Sequence, residues 1–467
     1  MVFSRKTQRL LRLITVLLCF FVTVAKAQSV EVWLTKLEQS VLFQQQANHP
    51  TFGPIQGTQP SIYVDDQHQF QSMDGFGYTL TGGSASLLMG MKPADRAALL
   101  KELFATDGSN IGVNYLRVSI GASDLSDHVF SYDDLPAGQT DVALTQFTLT
   151  EERKALIPVL KEMLAINPSL KLLGSPWSPP TWMKTNGLSK GGSLKPEFYN
   201  AYAQYLVRYV QEMKKEGIAI DAITVQNEPL HPGNNPSLLM PQDEQALFIK
   251  KSLGPAFRKA QLKTKIVIYD HNADRPDYPI SILNDPEARQ YIDGSAFHLY
   301  GGPVEAIREV HEAHPDKNVY FTEQWIGSPG NFAGDVAWHV KNLVIGASRN
   351  WCKTVLEWNL AADPQQKPHT EGGCTECLGA LTIGETIKRN PAYYIIAHAS
   401  KFVRTGSVRV ASNTTMSLSN VAFKTPTGKL VLIVLNESKQ PQNFTIRFHN
   451  KQIATMLDGN SLATYVW

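Results

Sequence analysis

Cysteine is scarce, at four in 467 residues, so the fold cannot depend on a framework of disulfides, and a chain of this length can bury a core large enough not to need one. An excess of either charge is missing too. The chain carries 44 Lys and Arg against 42 Asp and Glu, a net +2, and no basic face of the kind that displaces counterions from a phosphate backbone, so nucleic acid is not an expected partner. Long apolar runs are absent as well. The most apolar stretch near the start, Leu13 to Val24, has twelve residues, short of the roughly eighteen a membrane-spanning helix requires, so no stable membrane span is expected. There is no GxxxxGK[ST] phosphate loop, and Gly75-Phe-Gly77-Tyr-Thr-Leu80 lacks the third glycine of a dinucleotide fingerprint. An HxH pair for a barrel metallohydrolase is not found, and neither is a 20–50-residue repeat or a low-complexity linker. No metal or organic cofactor is expected.

The first residues carry an address. A basic segment ending at Arg12 leads into the apolar stretch and then Ala25-Lys26-Ala27, the small-x-small pattern of a signal peptidase site. Cleavage after Ala27 removes five bases and leaves a mature charge of −3, and it predicts a secreted or periplasmic protein. Leu18 before Cys19 is not the small residue a lipidation site prefers. In an exported protein Cys374-Thr-Glu-Cys377, set among Gly372, Gly373 and Gly379 with no second pair to make a zinc site, reads as a local disulfide in a loop bordering the cleft. Cys352 is expected buried and unpaired. Asn413, Asn436 and Asn443 head glycosylation sequons.

From residue 71 to 404, short β-rich runs alternate with helical stretches. A strand near Gly75–Gly77 is followed by Val113–Ile120, Leu170–Ser175, Ala222–Gln226, Lys265–Tyr269, Gly294–Leu299, Asn318–Thr322 and Thr354–Trp358. Between them lie i, i+3, i+4 patterns at Glu151–Ile166, Glu197–Lys215, Pro241–Ala260, Pro303–Ala313 and Ala333–Ala347. Parallel strands need crossover helices and close at eight, so this α/β pattern predicts a (β/α)8 TIM barrel, with an open doubly wound sheet as the alternative. Strand-like alternation in 28–70 and short strands in 405–467 predict one side β-sandwich-like domain built from both chain termini.

In such a barrel the chemistry sits where strands end at the C-terminal mouth. Those ends carry Arg117 and Ser119, Trp177, Asn227-Glu228, Asp270 and His271, His298 and Tyr300, Glu323 and Trp325, and Trp358-Asn359. Two carboxylates across a mouth ringed with Trp and Tyr suit cleavage of a sugar acetal. One carboxyl protonates the leaving oxygen, the other meets the cationic carbon, and aromatic faces take the apolar faces of sugars. Read singly, each residue has a plainer role: Glu323 could pair with Arg117, and His298 could be a hydrogen-bonded core histidine. Gly187-Leu-Ser-Lys-Gly191 fits the serine-hydrolase GxSxG, but no strand precedes it and no helix follows.

Asp74-Gly-Phe-Gly77, Ser175-Pro-Trp-Ser-Pro-Pro-Thr-Trp182, Gln226-Asn-Glu-Pro229, Phe297-His-Leu-Tyr300, Phe321-Thr-Glu-Gln-Trp325, Glu357-Trp-Asn-Leu360 and Ala463-Thr-Tyr-Val-Trp467 together resemble the glucosylceramidase family, glycoside hydrolase family 30. The resemblance implies a retaining β-glycosidase with Glu228 as general acid/base and Glu323 as nucleophile. It further implies that Asn227 meets the sugar 2-hydroxyl, that Trp177 and Trp358 wall the site, and that Arg117, His298 and Tyr300 orient the nucleophile. Trp325 completes the aromatic ring of substrate-binding residues. Glu323 is expected to raise the pKa of Glu228. Where glucosylceramidases carry an Asp after the Phe-Gly block this chain has Gly82, and the room left there is expected to admit a sugar on O6. The resulting expectation is an endo-acting β-1,6-glucanase, with a glucosylceramidase or exo-β-glucosidase as the alternative; a secreted, non-catalytic carbohydrate-binding protein would have lost one glutamate.

Overall fold

A computed structural model describes residues 29–415 and 417–467; the leader expected at 1–27 lies outside the described residues. Eight parallel strands follow in chain order: Gly75–Leu80, Tyr115–Ile120, Lys171–Pro176, Ala222–Thr224, Lys265–Asn272, Ile292–His298, Asn318–Glu323 and Cys352–Asn359. The eighth pairs back onto the first, so the sheet is a closed barrel and not an open one.

The period of two along each strand organises the barrel interior in layers. Tyr115, Leu173, Ala222, Val267, Ala296, Tyr320 and Leu356 form a buried apolar layer of their own inside the barrel. Two residues on, toward the mouth, six of these strands present Arg117, Ser175, Thr224, His298, Thr322 and Trp358. The fifth strand breaks the period. Tyr269 and Asp270 both take positive φ, 71° and 67°, and the pairing with the sixth strand slips between Ala296 and Phe297, so Asp270 instead of Tyr269 reaches the polar layer. The first strand contributes little bulk here: a Cβ on Gly77 would fall 1.8 Å from the Tyr115 carbonyl oxygen, so glycine is what lets the first two strands approach.

The outer helices bury the faces their spacing predicts. In Tyr199–Lys215 the rings of Tyr202, Tyr205 and Tyr209 point inward, and Tyr132 stacks on the last two at 5.7 Å each. Each buried ring contributes roughly 1.5–3 kcal/mol. The expected helix Pro241–Ala260 is one continuous run with a π turn at Ile249–Leu253. Five helices were not legible in the periodicity: Gly82–Gly90, Pro93–Phe104, Asp277–Leu283, Pro286–Arg289 and Pro391–Ser400.

Both ends of the chain build the side domain. Glu31–Lys36 runs antiparallel to Ser461–Val466 over six residue pairs. Ser61–Ser72 pairs antiparallel with Val408–Ser412 and, near its start, parallel with Gln442–Phe448. A core of Val30, Ile62, Val64, Leu432, Val434, Phe444, Tyr465 and others fills this domain. The strands Leu418–Lys424 and Lys451–Leu457 complete it. Among the described residues no helix is long and apolar enough to cross a membrane.

Candidate active site

Asp270 is the anchor of the polar layer. One carboxylate oxygen accepts hydrogen bonds from Arg117 and from the hydroxyls of Ser175 and Thr224, each at 2.8 Å; the other accepts from Thr322 at 2.6 Å and faces His298 Nε2 at 3.1 Å. Burial alone would favour its neutral form, but the charges of Arg117 and His298 hold it far below the usual carboxylate range. Arg117, wholly buried, donates to Asn227 Oδ1 at 2.6 Å and to Glu323 Oε2 at 2.5 Å. Its guanidinium lies 4.7 Å from the centre of the Trp177 ring, which packs against Trp358 at 5.4 Å.

The two glutamates stand over this layer. Glu323 closes the seventh strand and also accepts from the Tyr300 hydroxyl at 2.9 Å. Glu228 lies beyond the short fourth strand in left-handed backbone, φ 43°, fixed by its N–H to the Asp270 carbonyl at 3.0 Å. Holding a non-glycine residue there costs about 1–3 kcal/mol, a strain typical of catalytic positions. Its carboxylate faces His298 Nδ1 at 3.2 Å, and Asn234 Nδ2 reaches it at 3.4 Å. One oxygen of each glutamate and a ring nitrogen of His298 all lie within 4.8 Å of one another. Both ring nitrogens of His298 face carboxylates, Nδ1 that of Glu228 and Nε2 that of Asp270.

Burial works against the charge on His298, yet Glu323, Asp270 and Glu228 around it raise its pKa to about 10. That charge reverses the expected relation between the glutamates. Burial would raise Glu228, but the hydrogen bond and charge of His298 beside it hold it below its ordinary value. Glu323 stands above its own, because burial and the nearby Glu228 and Asp270 outweigh His298 and Arg117. The pair titrates as a unit. A proton on Glu228 leaves the anion on Glu323, where Arg117 and Tyr300 donate.

A cavity of about 370 Å³ opens above the glutamates. Trp177, Asn227, Glu228, Tyr300, Glu323, Trp325 and Trp358 line it. Arg117 and His298, expected to orient the nucleophile, are 0% exposed beneath it; Arg117 holds Glu323 and Asn227, while His298 faces Glu228 and Asp270. Gly82 is not part of the wall: a Cβ there would meet the Ser126 hydroxyl at 2.9 Å, beside a separate small cavity. Gly82 therefore opens no room for a sugar on O6, contrary to expectation. The carboxyl at the wall is Asp124, seven residues past Arg117 in the loop after the second strand, and burial and the charges of Glu323 and Glu228 push its pKa up to about 7. Sequence reasoning missed it, although a carboxylate shortly beyond a barrel strand end was the available signal. Cys374 and Cys377 form the expected disulfide and line the same cavity, while Cys352 is free and buried. In the GxSxG segment the Ser189 hydroxyl donates to Asn235, away from any histidine pairing.

Comparison with known proteins reproduces this architecture. The model of the glycosyl hydrolase family 30 TIM-barrel domain matches residues 73–403, and that of the family's β-sandwich domain matches 406–465. An endo-1,6-β-D-glucanase of Neurospora crassa is 33% identical over 421 residues, 85% of either chain. The lysosomal acid glucosylceramidase of Mus musculus is 30% identical over 442 residues, covering 88% of this chain and 84% of the mouse protein. A solved endo-β1,6-glucanase superposes with a TM-score of 0.88 at 36% identity, over 94% of this chain and 99% of its own.

Proposed function

Because the chain belongs to glycosyl hydrolase family 30 and is a glycoside hydrolase, we propose that Glu228 and Glu323 cleave a β-glucosidic bond in two displacements with retention. The separation of the carboxylates carries this reading. Oxygens within 4.8 Å match the roughly 5–5.5 Å of direct attack and fall short of the roughly 6.5 Å that admits a water. Glu323, aimed by Arg117 and Tyr300, attacks the anomeric carbon and becomes a glycosyl ester as the bond to the leaving oxygen breaks. Glu228 gives that oxygen its proton, then takes one from the water that hydrolyses the ester. Asn227, tethered to Arg117, is placed to meet the 2-hydroxyl, and Trp177 and Trp358 wall the glycone.

The substrate we propose is β-1,6-linked glucan, cut internally. The resemblance to endo-1,6-β-glucanases, at 33–34% identity for two of them and 36% for the solved structure, supports this. Asp124 favours a second reading, an exo-β-glucosidase or glucosylceramidase, because a carboxyl at the glycone wall can grip the hydroxyls of a terminal glucose. Incubating the protein with a β-1,6-glucan, glucosylceramide and an aryl β-glucoside, and following product length and the first anomer by NMR, tests both. Oligosaccharides from the glucan with retained configuration are expected; glucosylceramide cleaved with the glucan intact would select the second reading. Export, proposed from the basic-apolar start and Ala25-Lys26-Ala27, is checked by the N-terminal sequence of protein from the producing cell.

A further inference from the structure

We propose that His231, Asn234, His271 and Asn272 form a site for the sugar on the leaving side of the scissile bond. This rests on the glycosidase reading above and names what that reading leaves open, the recognition of the leaving group. All four line the cavity. They gather around the acid/base and not the nucleophile: Asn234 contacts the Glu228 carboxylate, His231 N–H donates to the Glu228 carbonyl, and His271 follows Asp270, whose carbonyl accepts from Glu228 N–H. Trp177, Trp358 and the disulfide, also in the lining, pack with Leu125 as one apolar cluster. A general acid lies beside the oxygen that departs, so the polar wall faces the departing group.

His271 gives the site its chemistry. It is 8% exposed, and its Nδ1 is buried with no hydrogen-bond partner among the described residues. An orphaned lone pair costs less than an orphaned N–H, so the proton belongs on Nε2, leaving a donor for the cavity's occupant. Burial lowers its pKa to about 4, which keeps the ring neutral near pH 7. The strained turn at Tyr269 and Asp270 immediately precedes it, as expected where a bulge re-aims a side chain. From buried His271 the wall passes through half-buried Asn272 and Asn234 to exposed His231, which suits an occupant that continues into solvent. Hydroxyls on a chain of sugars fit this gradient; an alkyl chain would leave the donors unpaired.

The test compares a β-1,6-linked glucotriose with n-octyl β-glucoside. Both leaving alcohols are weakly acidic and depend on Glu228, but only the trisaccharide carries hydroxyls beyond the scissile oxygen. In variants whose melting temperature stays close to that of the parent, His271→Leu and Asn234→Ala are expected to lose at least ten-fold more kcat/KM on the trisaccharide than on the octyl glucoside. His271→Gln, which keeps a donor, should recover part of the loss. Equal losses on the two substrates would mean these residues act through Glu228 and would overturn the proposal. Failure of the parent enzyme to cut the trisaccharide, with octyl glucoside cleaved, would instead overturn the β-1,6 reading; the same ratio taken on a β-1,3- or β-1,4-linked glucobiose then decides the leaving-sugar site by itself.

Discussion

A glutamate that attacks and a glutamate that protonates are told apart by their hydrogen bonds. Glu323 has two donors aimed at it, Arg117 and Tyr300, whereas Glu228 faces His298 and a long contact from Asn234. Glu228→Ala should therefore lose most on substrates with poor leaving groups and regain turnover on an aryl glucoside when azide is added; Glu323→Ala should no longer be labelled by a 2-fluoro glycoside, read by intact mass. Uniform loss on all substrates in the first variant, with no azide effect, would reverse the roles. The glutamates, Asn227 and the tryptophans were legible because they sit in motifs at strand ends. Asp124 was not, since a lone Asp in a loop has no motif around it. Nor was the charge on His298, which arises from three carboxylates that meet only after the barrel closes. Of the sequons, Asn436 is wholly buried and spends its amide on three carbonyls, whereas Asn443 is exposed.

The helix Pro391–Ser400 joins barrel to side domain through one buried imidazole. His398 Nε2 lies 2.8 Å from the Thr35 hydroxyl and Nδ1 2.9 Å from that of Thr464. Thr464 spends its own proton on the His398 carbonyl, so it accepts from Nδ1–H and Thr35 donates to Nε2. This arrangement needs the neutral ring, and burial lowers the pKa to about 3. With the unfolded value near 6.5, the stabilisation is whole above about pH 6.5 and is lost as pH falls toward 3, up to roughly 5 kcal/mol. Melting temperatures across that range should fall less steeply in His398→Gln than in the parent; parallel curves would show that His398 does not govern the acid limb. Strong 3.6 and 2.0 periodicities made the long helices and the barrel strands readable. Gly82–Gly90 escaped because its buried face is Gly83, Ser84, Ala85 and Leu88, mostly too small to register as apolar, and its start is set by Thr81 accepting from Ser84 N–H.

At the scale of the molecule, closure of the barrel and the joint origin of the side domain were both foreseeable, because eight alternating units and two strand-rich ends leave few topologies open. The side domain is coupled to the barrel by more than proximity: Met73 N–H donates to the Ser407 carbonyl and Gly406 N–H to that of Met73, at the entry to the first strand. A chain ending at Arg404 would leave Glu31–Lys36 and Ser61–Ser72 without most of their partners, and it should be recovered in the insoluble fraction, or as a soluble species that binds ANS; a monomeric, active fragment would contradict this. The pairing of Glu31–Lys36 with Ser461–Val466 has a consequence in time as well. A ribosome delivers these partners about four hundred residues apart, which at 5–20 residues per second is on the order of half a minute. Through that interval the early strand carries an unsatisfied edge of backbone donors and acceptors, with the whole barrel made before its neighbour exists. The nascent chain must therefore keep that edge from other chains, and the final six-residue strand acts as the latch that ends its exposure.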